Sequence, residues 1–199
     1  MATRGFEGRR RDESEARLPP GQYLERGFPV LSYEPTPTVE LRDWRFSIDT
    51  ADGSGAWTWE EMHDLPQTEQ TVDIHCVTKW SKFATTWQGV TIDDMLDAAG
   101  LELSQPYVLA TCYTGYTTNL PSEDVLDGKA MVAHTFEGDP LDPEHGGPAR
   151  LLVPHLYFWK SAKWFRGLRA IDADEPGFWE GYGYHMRGDP WLEQRYVGD

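Results

Sequence analysis

The sequence predicts an α+β fold built on a mixed sheet. Three observations carry that expectation: short β-leaning runs recur along the chain, two capped helical segments stand between them, and the two kinds follow no regular βα alternation. The chain has 199 residues, enough for one domain with a sizeable core. Residues 1–27 are polar and charged and carry Pro19-Pro20-Gly21, so they are expected as an arm ahead of a domain over 28–199.

The elements follow in order. Gly27 to Tyr33 is apolar, fitting either a core strand or a loop packed on the domain. Trp44, Phe46 and Ile48 alternate with period two, the mark of a half-buried strand. Ala51 to Gly55 reads as a turn by its glycines. Thr58-Trp59-Glu60-Glu61 is a capping-box pattern and predicts a short helix ending near Leu65-Pro66. The β-leaning run Thr71 to Ile74 delivers Cys76 to its end, and a polar, aromatic loop is expected at once after it. Thr91 opens a second helix with Ile92, Met95, Leu96 and Ala99 on one face and Gly100 as its stop. Tyr107 to Cys112 predicts a strand, Tyr113 to Asn119 a loop, Ser122 to Leu126 one helical turn and Ala130 to Phe136 another strand. A short apolar strand is expected at Arg150 to Pro154 and a last one at Trp164 to Ile171. From Asp172 on the chain is aromatic and Gly-rich without a clear period.

Composition excludes several classes. The formal net charge is -15, against sequence-independent nucleic-acid binding, which needs Lys and Arg on phosphates. Thirteen of the 18 basic residues are Arg. Such an acidic, Lys-poor chain fits a high-salt cytoplasm, and GC-rich coding would give the same bias. No run of about 18 apolar residues exists, so no membrane span is expected. Arg9-Arg10-Arg11 is followed by Asp12-Glu13-Ser14-Glu15 rather than an apolar segment, so no export signal is expected and the location expected is cytoplasmic. Two cysteines, Cys76 and Cys112, are poor grounds for a disulfide framework.

Cys76 is the centre of interest. A thiolate at the end of a strand is both rigid and reachable, as a soft metal or an electrophile requires; the alternative is a small buried hydrophobe. His75, its neighbour, points to the opposite face of a regular strand and is expected in the core or behind the site.

Two ordered stretches resemble a known family. His75-Cys76-Val77-Thr78-Lys79-Trp80-Ser81, followed by Trp87-Gln88-Gly89-Val90 and an amphipathic helix, is similar to the molybdenum-binding domain of the sulfite oxidase family. His145-Gly146-Gly147-Pro148-Ala149-Arg150-Leu151-Leu152-Val153-Pro154, then Trp159-Lys160-Ser161-Ala162-Lys163, resembles its second signature. The most similar type is the small, stand-alone relatives of the bacterial methionine-sulfoxide reductase catalytic subunit, and the resemblance covers roughly residues 28–172. It implies a sulfite-oxidase-type, mixed-sheet molybdopterin-binding domain, with Cys76 as the one protein ligand to molybdenum. Molybdopterin is the implied cofactor. Its phosphate would fall to Arg150 and Lys163, with an anion-binding turn at the amides of Ser161 and Ala162; without the motif, the two cations read as a solvated surface pair.

His145 stands where the reductase has an asparagine and would meet a pterin edge. Cys112 either lines the pocket or is a core thiol. Val30, Leu31 and Ser32 fall near the family's N-terminal cofactor contacts. Tyr116, with Tyr113 and Thr117, is a candidate for a substrate mouth, against a plain surface loop; Tyr116 joins Cys76 as a catalytic candidate. The implied activity is two-electron oxygen-atom transfer on a small substrate such as sulfite or a sulfoxide. An external electron-transfer partner is expected, as no CxxC or CxxCH motif is present. The cluster of arginines that a sulfite anion would need is not evident. Two alternatives remain: a non-catalytic ligand- or partner-binding module that keeps the fold, and a zinc protein using Cys76, Cys112 and some of His63, His75, His134, His145, His155 and His185, whose spacing matches no zinc signature.

Overall fold

A computed structural model describes residues 16–199. The arm expected over 1–27 therefore lies partly outside the described residues, including Arg9-Arg10-Arg11. The strands are β1 (Tyr23–Leu24), β2 (Arg45–Thr50), β3 (Gly53–Thr58), β4 (Thr68–His75), β5 (Trp80–Thr91), β6 (Tyr107–Cys112), β7 (Thr117–Pro121), β8 (Met131–Phe136), β9 (Asp139–Pro140), β10 (Arg150–Leu152) and β11 (Phe165–Ile171). The helices are α1 (Trp59–His63), α2 (Ile92–Ala99) and α3 (Phe178–Gly181).

Among the described residues the strands form two sheets. One runs β3-β2-β11-β6-β7, with β11 parallel to β2 and the other neighbours antiparallel. The other runs β1-β5-β8-β10, with β4 also on β5 and β9 on β8; here only β1 lies parallel to its neighbour. The α+β, mixed-sheet expectation holds.

Local chemistry explains the elements that match. Thr58 accepts from the Glu61 amide while Glu61 accepts from the Thr58 amide, closing the capping box of α1. Thr91 caps α2, and Gly100 ends it in the left-handed region at φ 64. The alternation that runs into β2 buries Trp44, Phe46 and Ile48 in the larger core, with Met95, Val108 and Leu168.

Three expectations are corrected. The stretch after Cys76 is not a loop: only a tight turn separates Cys76 from β5, the longest strand, whose Trp80, Thr85 and Trp87 are buried. Gly53 to Gly55, read as a turn, opens β3, which full antiparallel pairing with β2 holds in place despite its weak β composition. Thr117 to Asn119, read as loop, belongs to β7, where pairing with β6 buries Thr118 and Asn119. The turn at Ser122 is a 3-10 turn over Ser122–Asp124. Among the described residues, no helix is long and apolar enough to cross a membrane.

Candidate active site

The two sequence motifs meet in space. Strand β4 ends at His75, whose carbonyl accepts from the Phe158 amide at 2.8 Å, so the thiol strand and the second motif are stitched together. A second core of Ile74, Trp80, Trp87, Leu152 and Phe158 packs around the thiol.

Cys76 sits at the head of the turn into β5. Its amide donates to the Trp80 carbonyl at 2.8 Å and its carbonyl accepts from Lys79 at 3.0 Å; Lys79 takes φ 79 to make the turn. The thiol is buried and accepts from the Thr78 hydroxyl at 3.1 Å. Burial pushes its pKa up, against weaker downward pulls from Thr78 and Arg195. The turn is clasped from both ends of the described chain: Gln22 donates to the Cys76 carbonyl at 3.0 Å, and Arg195 to the carbonyls of Val77 at 3.2 Å and Pro20 at 3.1 Å.

A cavity of about 460 Å³ joins the motifs, lined by Leu31, Ser32, Cys76, Tyr116, His145, Arg150, Ser161, Ala162 and Lys163. Val30 and Cys112 are not among the lining residues. Val30 lies half-exposed on the lead-in, and Cys112 faces the larger core from β6, where burial holds its thiol proton firmly.

The cationic end is built around Arg150. Its guanidinium is 1% exposed and packs on the Phe158 ring at 4.1 Å. It donates to the carbonyls of His145 and Ser161, so two of its donors join the segments before and after β10. Its Nε is buried with no hydrogen-bond partner among the described residues, and burial lowers its pKa to about 9. Lys163 donates to the carbonyls of Leu31 at 2.8 Å and Glu144 at 2.7 Å; burial, then Arg150, lowers its pKa to about 8. Gly146, at φ 110, lies so close to Lys163 that a Cβ would meet it at 3.0 Å. His145 stacks on Phe28, centroids 3.9 Å apart, and its Nδ1 is buried with no hydrogen-bond partner among the described residues. The Ser161 amide donates to the Phe158 carbonyl at 3.2 Å, and its hydroxyl accepts from Val153, so that amide closes the turn instead of facing a ligand.

The rest of the lining is largely aromatic. Tyr116 donates from its hydroxyl to the Trp159 carbonyl at 2.9 Å, and burial raises its pKa well above the usual value. Tyr113 donates to the Arg45 carbonyl instead and is not a lining residue. Trp159, Trp179, Tyr184, Phe28 and Glu34 also line the cavity, and sequence reasoning missed them. Only the aromatic density after Asp172 signalled the wall. His75 is buried on Ser81, with ring nitrogen and hydroxyl 2.8 Å apart, as expected of a histidine behind the thiol. Among the described residues, no group of three or more His, Cys, Asp or Glu gathers as a metal cage, so the zinc alternative has no donor set there.

A mixed-sheet domain with a lone thiol facing a cationic pocket defines the class: the sulfite-oxidase-type molybdopterin-binding fold. The family model described as oxidoreductase molybdopterin binding domain matches residues 33–179, and the chain belongs to that family. It is 42% identical over 192 residues to the uncharacterized oxidoreductase YuiH of Bacillus subtilis, covering 96% of this chain and 97% of that protein. It is 27% identical to a putative protein-methionine-sulfoxide reductase subunit, YedZ1, of Azospira oryzae, over 85% of this chain and 66% of that one. Against mouse mitochondrial sulfite oxidase the identity is 24%, over 79% of this chain and 35% of the oxidase. The chain thus spans nearly all of the Bacillus protein and about a third of the mouse one. The crystal structure of the sulfane dehydrogenase SoxCD from Paracoccus pantotrophus shares the fold, with a TM-score of 0.61 at 23% identity over 69% of this chain and 40% of that one.

Proposed function

We propose that the chain is a molybdopterin-dependent oxidoreductase that moves an oxygen atom, with two electrons, to or from a small substrate such as sulfite or a sulfoxide. The observation that carries this reading is the cavity lined by both Cys76 and the cationic pair Arg150 and Lys163. When bound, the cofactor would supply the redox chemistry, and an external electron-transfer partner would complete the cycle.

The residues present fit the group. Arg150 Nε and His145 Nδ1 are buried polar atoms of lining residues, so a polar ligand would satisfy what the described residues leave unpaired. Lys163 would add charge to the phosphate end, and Arg150 would give its remaining N–H groups there while its other donors hold the pocket's shape. Cys76 offers a thiolate only when a metal displaces its proton, because burial otherwise keeps the thiol neutral. Thr78 orients its sulfur. Tyr116, locked on the Trp159 carbonyl, would act as a positioning wall toward substrate. Residues 28–199 would form the catalytic domain, with Gln22 and β1 of the preceding segment laid against its thiol turn and β5.

The test is metal and pterin content of protein made in a molybdenum-replete host, for the natural chain and Cys76→Ser. The expected result is about one molybdenum per natural chain and strong loss in Cys76→Ser, with the two cofactor-free proteins equal in thermal stability. A natural protein without molybdenum or pterin would defeat the reading.

A further inference from the structure

The cavity is lined by both cations and rings. Its two cationic lining side chains are each engaged by two backbone carbonyls, Arg150 by those of His145 and Ser161 and Lys163 by those of Leu31 and Glu144. The rest of the described lining includes the rings of Tyr33, Trp159, Trp179 and Tyr184. Trp179 and Tyr184 lie 5.1 Å apart by centroid, Trp159 and Tyr184 5.2 Å, and Tyr33 and Trp179 5.9 Å. Tyr184 and Cys76 line the same cavity, so the wall and the thiol share it.

This wall is held in place. Trp159 donates from its indole to Glu180 at 2.8 Å, stacks on Tyr157 at 5.4 Å, and carries the carbonyl that accepts from Tyr116. Glu180 in turn forms a fully buried pair with Lys160 at 2.6 Å. Arg195, which clasps the thiol turn, has its guanidinium committed to the carbonyls of Val77 and Pro20. With both lining cations already engaged by carbonyls and the free Arg150 Nε assigned above to the phosphate, a small inorganic oxyanion would meet mostly ring faces and find little to replace its water. A flat, uncharged molecule would meet preorganised stacking partners.

We infer that this mouth selects an uncharged organic oxide with an aromatic flank, an aryl sulfoxide or a heteroaromatic N-oxide, over an inorganic oxyanion, with Trp159, Trp179 and Tyr184 setting the preference. This rests on the function proposed above and assigns the substrate class to the same site.

The experiment uses the cofactor-loaded protein and reads tryptophan fluorescence during titration with methyl phenyl sulfoxide, pyridine N-oxide, dimethyl sulfoxide, sulfite and nitrate, with molybdenum content measured on the same sample. The two aromatic oxides are expected to bind at least about tenfold (~1.4 kcal/mol) more tightly than dimethyl sulfoxide. Sulfite and nitrate are expected to give no saturable signal in that range. Trp179→Ala is expected to lose about tenfold for methyl phenyl sulfoxide and to leave dimethyl sulfoxide unchanged, while Trp179→Phe, which keeps a ring and guards against a folding defect, stays within about twofold. Tighter binding of sulfite or nitrate by a molybdenum-loaded protein would overturn the substrate class and leave the proposed function standing. Trp179→Ala binding every ligand as the natural protein does would overturn the role of the wall. Protein that takes up no molybdenum would overturn the function and this inference together.

Discussion

Lys163 is where charge and burial pull hardest against each other. Its ammonium is half-buried, held by two carbonyls, and its pKa falls to about 8. The cation is present below that value and lost above it. Retention of a phosphate-bearing pterin is therefore expected to weaken as pH rises through about 8. Pterin fluorescence of protein re-eluted from a desalting column at neutral and at alkaline pH reads this directly. Lys163→Arg should flatten the dependence, since guanidinium does not titrate there, and Lys163→Ala should weaken retention by about tenfold, the scale of a charge-assisted hydrogen bond. At this scale the sequence is legible where chemistry is rare. One cysteine at a strand end and two cations in an ordered motif announce themselves. Phe28, Trp179 and Tyr184 do not, because an aromatic residue facing a cavity and one facing a core look alike in a chain.

The elements most easily read are those whose signals are local. The cap at Thr58, the stop at Gly100 and the alternation of Trp44, Phe46 and Ile48 are chemical statements within a few residues of each other, and the structure agrees with each. Strands β3, β5 and β7 are opaque because their evidence lies across the sheet. β5 shifts register against β8 between Gln88 and Gly89, which breaks the period-two pattern just where a reader would look for it. At that crossing a Cβ on Gly89 would overlap the Val132 carbonyl oxygen. Gly89→Ala is accordingly expected to destabilise by about 1–3 kcal/mol or more, read as a lowered urea midpoint. In α2, Met95 is fully buried, and Met95→Ala should cost about 2–5 kcal/mol in the same measurement, the loss of a core side chain that leaves a cavity.

The molecule as a whole keeps two buried histidines neutral. Burial lowers His75 to about 4; His134 falls to about 4 as well, by burial and then by the neighbouring His63. Both values are depressed from 6.5, so the unfolded chain takes the proton first as pH falls. Stability is full above about 6.5 and drains away as pH drops toward 4, with each histidine costing about 1.4 kcal/mol for every pH step of one across that window. Urea unfolding at successive pH values should show that slope, and the double variant His75→Gln with His134→Gln should lose most of it. The buried Lys160–Glu180 pair works at the same scale, because it ties the wall to the segment before β11. Glu180→Gln strands an ammonium without its counter-charge and is expected to cost about 3–5 kcal/mol, seen in thermal unfolding.

The clasp over the thiol turn joins positions separated by 54, 118 and 175 residues. The local bonds of the turn can therefore form early in synthesis, but the clasp over it is complete only once the chain has been made past position 195.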